Sequence, residues 1–187
     1  MKSLKRFFVQ NITSVVVLHI EVCVVKIKEN DLKVLFELIR GARRSDRDIA
    51  KVIGVSQPTV TRSRANLEKE GLVKEYTTIP DLTKMGYELL VFTFLSFAED
   101  RADLFDKARE WTKKQQCVIF ANNGEGCGAN SIMVSLHKNY TGYTNLITQL
   151  KRDWQPNLTS EQSFVMSLNR PDLLIKHFSF RPLLENE

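Results

Sequence analysis

The stretch that decides the fold covers residues 45–76 and reads SDRDIAKVIGVSQPTVTRSRANLEKEGLVKEY. Ser45 stands three residues before the acidic Asp48, and this spacing is typical of the capping box that begins a helix. Ile49 and Ile53 then fall on one helical face. Gly54 follows at the point where a left-handed residue ends a helix. The pattern predicts a short helix that starts at Ser45 and ends in a tight turn at residues 54–56.

A second helix follows this turn and has the side chains of a DNA-reading helix. Ser56 can cap it, and Pro58 lies in its first turn, where a missing N–H costs nothing. Val60 and Leu67 form an inward stripe, and the helix ends at Gly71. The other side chains, together with Ser56, are of types that reach base edges or phosphates in a major groove: Gln57, Thr59, Thr61, Arg62, Ser63 and Asn66.

The flanking segments complete a winged helix-turn-helix. Residues 72–78 are alternating and β-branched, which predicts a wing strand with Lys74 available to a phosphate. Residues 30–40 place leucines and an isoleucine at helical spacing and predict a preceding helix that closes a three-helix core. The alternative is a small helical hairpin whose basic face is only solvated. The coincidence of cap, turn glycine, first-turn proline and wing favours binding to duplex DNA.

The charge of the chain supports the same interpretation. Residues 1–76 carry 15 Lys+Arg against 9 Asp+Glu, a net of +6, whereas residues 77–187 carry 12 against 13, a net of −1. The basic excess is therefore confined to the half that contains the helix-turn-helix. The candidate phosphate contacts in this half are Arg43, Arg44, Arg47, Lys51, Arg64 and Lys74.

Residues 29–86 resemble the DNA-binding half of the Lrp/AsnC family of bacterial and archaeal transcription regulators. The likeness rests on DIAKVIGVS at the turn, LEKEGLVKEY at the wing and PDLTKMG at the exit. It implies a sequence-reading transcription factor whose second helix crosses the DNA backbone while residues 57–66 face the groove. Arg64 departs from the family pattern, because an apolar side chain is commoner at this inward position. We expect its stem to pack and its guanidinium to reach a phosphate.

The rest of the chain predicts a second domain. The strand Leu89–Phe97 is apolar on both faces, so one face should meet a helix and the other a partner subunit. A helix over residues 100–116, strands over 117–122 and 131–137, a helix over 139–154 and a strand over 163–168 follow. This order predicts a ferredoxin-like βαββαβ unit and an α+β fold overall.

In the Lrp/AsnC family this second domain dimerises through its sheet and often binds an amino acid near the loop before its third strand. Here the sequence after Gly128 has no acidic side chain to receive an ammonium group, so the resemblance does not extend to amino-acid sensing. A polar effector site remains a hypothesis for four side chains, namely Asn122, Asn123, Glu125 and Asn130. The alternative is that the glycine-rich segment is a simple hairpin connection.

Catalysis, metals and cofactors find no support in the sequence. Cys23, Cys117 and Cys127 form no C-x-x-C pair, which argues against a zinc site or a disulfide framework and for reduced thiols in a cytoplasm. The three histidines are dispersed. Cys127 and His137 have no oriented base beside them, so we expect no enzymatic activity and no cofactor.

The two ends of the chain are less informative. Residues 7–25 are apolar, but six polar side chains interrupt them, which is too polar for a hydrocarbon core. An added strand or hairpin at residues 14–20 and an upstream start that is not translated both stay open. We expect no membrane partner, and we expect residues 171–187 to pack against this subunit or a neighbouring one.

The sequence thus predicts an N-terminal extension (1–28), a winged helix-turn-helix domain (29–79), a linker (80–88) and a ferredoxin-like domain for dimerisation or effector binding (89–187). The predicted function is that of a cytoplasmic, sequence-specific transcription regulator that binds double-stranded DNA as a homodimer or larger homo-oligomer. The alternatives are a sequence-indifferent architectural DNA binder and a membrane-tethered or protein-binding module.

Overall fold

A computed structural model describes residues 27–98 and 102–184 of the chain. These residues divide into two compact units. One unit combines the chain up to Thr77 with the segment from Phe180, and the other runs from Thr78 to Ser179. Helices alone precede a sheet with two helices, so the predicted α+β class is confirmed. The predictions made for residues 1–26 lie outside the described residues.

Three helices form the first unit: α1 (Glu29–Arg40), α2 (Asp46–Ile53) and α3 (Gln57–Lys69). Each helix contributes an apolar stripe to one core, because residues three and four apart share a helical face. A 3₁₀ turn, Arg181–Leu184, contacts α1. The buried core residues are Val34, Leu38, Ile49, Ala50, Val60 and Leu67.

The predicted wing strand over residues 72–78 is wrong. The structure assigns no strand to residues 72–78. Gly71 turns the chain with φ 69°, and the N–H groups of Leu72 and Val73 both donate to the Leu67 carbonyl. Both side chains then pack on the three-helix core. Leu72 and Val73 therefore cover the three-helix core, whereas residues 74–78 are exposed.

The second unit contains β1 (Leu89–Phe97), α4 (Ala102–Lys114), β2 (Val118–Gly126), β3 (Ala129–His137), α5 (Tyr140–Trp154) and β4 (Leu158–Ser167). The strands pair antiparallel in the order β2-β3-β1-β4. The order of elements and strands confirms the predicted ferredoxin-like βαββαβ unit.

One face of this sheet is covered by α4 and α5. Leu95 and Met133 pack there against Leu150 and Trp154, and the Phe97 and Trp154 rings meet edge-on at 5.2 Å between centroids. Alternate strand residues point to the other face. That open face is apolar and is formed by Leu90, Phe92, Phe94, Phe120, Ile132, Val134, Leu136, Phe164 and Met166.

The hairpin between β2 and β3 is tighter than the sequence suggested. The strands were expected to stop at residue 122 and to resume at 131, but pairing continues to Gly126 and Ala129. Cys127 and Gly128 form the turn, with φ of 54° and 69°. Two central residues with positive φ suit a two-residue hairpin, which is why a long loop is unnecessary.

Candidate nucleic-acid interface

Two serine caps and one glycine hold α2 and α3 in the helix-turn-helix arrangement. The Asp48 N–H donates to Ser45 Oγ (3.2 Å), and the same hydroxyl donates to the Asp48 carboxylate (2.6 Å). This hydrogen bond holds the pKa of Asp48 below its usual value. Gly54 has φ 75°, and Ser56 Oγ accepts from the Thr59 N–H (3.4 Å). The predicted caps and turn are confirmed, and they end α2 at Gly54 and begin α3 after Ser56.

The polar residues of α3 divide between its exposed and inward faces. Gln57, Thr61 and Arg62 are exposed, and Thr59 and Asn66 are half-buried on one flank. Ser63 was expected to face the groove, but it is only 5% exposed and lies on the inward stripe with Val60 and Leu67. The physical reason is spacing, since residues 60, 63 and 67 share the face that packs on α1.

Arg64 is held by side chains of its own unit. Its Nε lies 2.9 Å and its Nη2 2.7 Å from Asp46 Oδ1, and its guanidinium lies 5.4 Å from the centre of the Tyr76 ring. Thr61 donates to the other Asp46 oxygen at 2.7 Å. The Thr61 hydroxyl and then the Arg64 guanidinium hold the pKa of Asp46 below its ordinary value of 3.8 against the effect of partial burial. We call Asp46, Thr61, Arg64 and Tyr76 the arginine clamp.

A second carboxylate holds arginines of the first unit. Glu37 is 1% exposed, and its two oxygens accept from Arg40 and from Arg44, a candidate phosphate contact. A buried carboxylate needs cationic partners, and Arg40 and Arg44 together neutralise the charge of Glu37.

Four candidate phosphate contacts are exposed and form no salt bridge among the described residues, although Arg47 and Lys51 lie near enough to Asp48 to lower the pKa of its carboxyl. These cations, available to a DNA backbone, are Arg43, Arg47, Lys51 and Lys74.

The four candidate effector residues lie in strands and not in a loop. Asn122, Asn123 and Glu125 lie in β2, and the side-chain oxygen of Asn123 accepts from Ser131 Oγ at 2.8 Å. The Asn130 amide accepts from the N–H of Phe97 (3.1 Å) and donates to its carbonyl (3.0 Å). The side chains of Asn123 and Asn130 are thus engaged in hydrogen bonds within the sheet.

The described residues contain no cluster of three potential metal ligands, and none of their helices has the length and apolarity needed to cross a bilayer. Cys127 lies in the turn before β3, and His137 is the last residue of that strand. The eight steps from Ala129 to His137 alone span about 26 Å at roughly 3.3 Å per residue, so the two side chains are too far apart for a nucleophile and its base.

Sequence reasoning missed the residues that hold the site together: Glu37, Asp46 and Tyr76. Asp46 and Arg64 are eighteen positions apart, beyond the reach of helical periodicity. The sequence did offer one signal for Asp46. Arg64 stands at an inward position of α3, and a cation shielded from solvent needs an anionic partner.

Comparison with known proteins agrees with this geometry. Residues 27–74 match a family model described as winged helix-turn-helix DNA-binding. The chain is 33% identical to the HTH-type transcriptional regulator LrpA of Pyrococcus abyssi over 111 residues, which span 53% of this chain and 79% of LrpA. It is 36% identical to the HTH-type transcriptional regulator LrpC of Bacillus subtilis over 61 residues, 33% of this chain but only 42% of LrpC.

Solved structures share the fold across both units. An AsnC family transcriptional regulator from Agrobacterium tumefaciens covers 86% of this chain and 99% of its own, with a TM-score of 0.70 and 16% identity. The regulator NMB0573 from Neisseria meningitidis, solved as an L-Met complex, covers 82% of this chain and 94% of its own, with a TM-score of 0.68 and 15% identity. From the helix-turn-helix, the ferredoxin-like unit and the similarity to LrpA, we conclude that the chain belongs to the Lrp/AsnC family of DNA-binding transcription regulators.

Proposed function

We propose that this protein regulates transcription by inserting α3 into the major groove of a specific DNA site. The observation that carries the proposal is the outward face of α3, where Gln57, Thr61 and Arg62 are exposed on a helix whose other face is fixed in a core. Arg62 has no carboxylate partner in the described residues, and a free guanidinium suits the O6 and N7 acceptors of guanine. We assign base reading to this face.

The exposed cations Arg43, Arg47, Lys51 and Lys74 supply the backbone contacts in this proposal. Such contacts fix the register of a protein on the duplex without reading its sequence. Arg44 and Arg64 are left out, because Glu37 and Asp46 hold their guanidinium groups.

The second unit acts as the dimerisation module. Its open sheet face exposes 53% of Phe120 and 62% of Phe164, and apolar patches rimmed by polar residues mark association surfaces. A twofold partner would bury this face and present two copies of α3 to two half-sites.

The complex of NMB0573 with L-Met suggests that the second unit binds an effector. We place the effector site away from Asn123 and Asn130, because the amides of both residues form hydrogen bonds within the sheet. The location that we propose is the cytoplasm, where a bacterial or archaeal regulator of this kind meets its DNA. No step of the proposed function requires catalysis.

The test is a selection of bound sequences from random duplexes, followed by affinities for the selected site and for bulk DNA at one salt concentration. A specific regulator should prefer its site by about 10³-fold or more. Replacing Arg62 by Ala should weaken binding by roughly 1–3 kcal/mol and relax the preference at one base position. Equal affinity for all sequences would instead identify an architectural DNA binder.

A further inference from the structure

Thr61 lies on the exposed side of α3, but its hydroxyl is engaged by the protein itself. The Oγ1 atom donates to Asp46 Oδ2 at 2.7 Å and lies 3.2 Å from the Gln57 carbonyl oxygen. A hydroxyl has one hydrogen, and both of these neighbours are acceptors. The Asp46 carboxyl is ionised near neutral pH, because its pKa is held below 3.8. The hydrogen of the Thr61 hydroxyl therefore stays within the first unit.

This engagement leaves Thr61 without a donor for DNA. Phosphate oxygens are acceptors, and so are O6 and N7 of guanine, N7 of adenine and O4 of thymine. A hydroxyl whose hydrogen is bonded to a carboxylate has nothing to donate to any of them. What Thr61 offers instead is a methyl group and an oxygen that already faces two acceptors of its own protein.

The same hydrogen bonds fix the direction of the methyl group. A threonine in a helix divides between two rotamers, because its oxygen can bond the carbonyl four residues earlier. Here the oxygen is directed to Asp46 and to the Gln57 carbonyl, so the methyl group on the same Cβ must occupy a different staggered position. Since Thr61 is exposed, it presents this methyl group in one direction and loses little rotamer freedom on binding.

A second methyl group lies next to it along the helix. Ala65 follows Thr61 by four positions and is also exposed, so the two side chains are neighbours on the surface of α3. An alanine side chain is only a methyl group. The major groove displays one apolar group of matching kind, the 5-methyl group of thymine, which alanine and threonine methyl groups contact.

We propose that Thr61 reads a thymine through its methyl group, with Ala65 beside it, while the Thr61 hydroxyl positions the side chain and makes no contact with DNA. The inference rests on the proposed function, because it requires α3 to lie in the major groove. It names the base that this part of the helix selects, next to the guanidinium that Arg62 offers to guanine.

The experiment is a uracil scan of the selected duplex, in which each thymine in turn is replaced by uracil. This exchange removes the 5-methyl group and keeps the O4 acceptor. In the wild type, one such position in a half-site should lower the affinity about fourfold, as expected when one methyl group loses an apolar contact. Thr61→Ser should lower the affinity for the thymine duplex by a similar factor. It should lose almost nothing more on the uracil duplex, because both changes remove one contact.

Two further variants separate the methyl group from the hydroxyl and from general effects on a helix. Thr61→Val keeps a methyl group and removes the hydroxyl, so it should still prefer thymine to uracil at the same position. Thr148→Ser is the matched control. Thr148 is exposed in α5 and donates to the Thr144 carbonyl at 2.8 Å, and its loss of a methyl group should change neither the affinity nor the uracil dependence. The ratio of the two affinities is measured within each variant, so a change in stability does not affect it.

Three results would overturn the thymine contact. The wild type could bind every uracil duplex as tightly as the thymine duplex, Thr61→Ser could keep the full preference for thymine, or Thr61→Val could lose it. Each of these results leaves the proposed function standing. The proposed function fails, and this inference with it, if the wild type shows no sequence preference at all.

Discussion

Two carboxylates of the first unit pair with arginines that the sequence offered as phosphate contacts. Glu37 and Asp46 hold Arg44 and Arg64, while Arg62 stays exposed. At the scale of single residues, the arginine clamp is therefore expected to stabilise the joint between α2 and α3. In the function that we propose, Arg62 is the exposed arginine of α3 that contacts DNA.

A double-mutant cycle with Asp46→Asn and Arg64→Leu tests this division. We expect each single change to destabilise the protein, with a coupling of about 1 kcal/mol in the free energy of unfolding. Arg64→Leu should leave the salt dependence of duplex binding unchanged, because no phosphate contact is lost. A slope reduced by about 0.9 per protomer would instead show that Arg64 neutralises a phosphate.

The clamp also predicts a pH dependence. Since folding lowers the pKa of Asp46, its contribution to stability is present above the ordinary value of 3.8 and is lost as the pH falls through the folded value. The wild type and Asp46→Asn should thus differ in urea unfolding near neutral pH, and this difference should shrink as the pH falls from 3.8 toward and through the lower folded pKa of Asp46. A constant difference across this range would contradict the assignment.

At the scale of elements, Gly54 sets the turn between α2 and α3. Its φ of 75° is unfavourable for a side chain, although a Cβ there would meet no atom within 4 Å. Gly54→Ala should therefore destabilise the first unit by about 1 kcal/mol through backbone strain alone. Gly41→Ala is the control, because Gly41 is extended (φ −176°) and should not show this cost. Equal effects in chemical unfolding would argue against the strain.

The two faces of β4 give a second prediction at this scale. Phe164 lies on the open sheet face, and its neighbour Val165 points to the opposite face with 42% of its surface exposed. If the open face pairs with a second copy, Phe164→Glu should yield monomers in light scattering at micromolar concentration, because a carboxylate would be buried. Val165→Glu should remain associated. A wild-type protein that is itself monomeric would refute the dimer.

For the whole molecule, charge is divided between the halves, +6 for residues 1–76 and −1 for residues 77–187. A dimer that places Lys51 on a phosphate in each half-site should lose about 1.8 from the slope of log affinity against log salt when Lys51 is replaced by Met. Lys113→Met, in the acidic half, should leave the slope unchanged. If the affinity of the wild type did not depend on salt, the result would contradict a DNA-binding site in the first unit.

The sequence alone determined the features that depend on local geometry. Ser45, Gly54 and Ser56 set caps and a turn through hydrogen bonds within three or four residues, and the apolar stripes of the helices follow from periodicity. The βαββαβ order was predictable because each element carries its own pattern of apolar residues.

Tertiary structure decided which polar side chains remain available. Asp46 meets Arg64 across eighteen positions, Asn130 bridges to Phe97 across thirty-three, and residues 72–73 pack on the three-helix core where a wing strand was expected. Ser63 is buried because α1 packs on its face of α3. Local patterns specify what a side chain can bind, whereas the packing of distant elements determines whether its partner is the protein or the DNA.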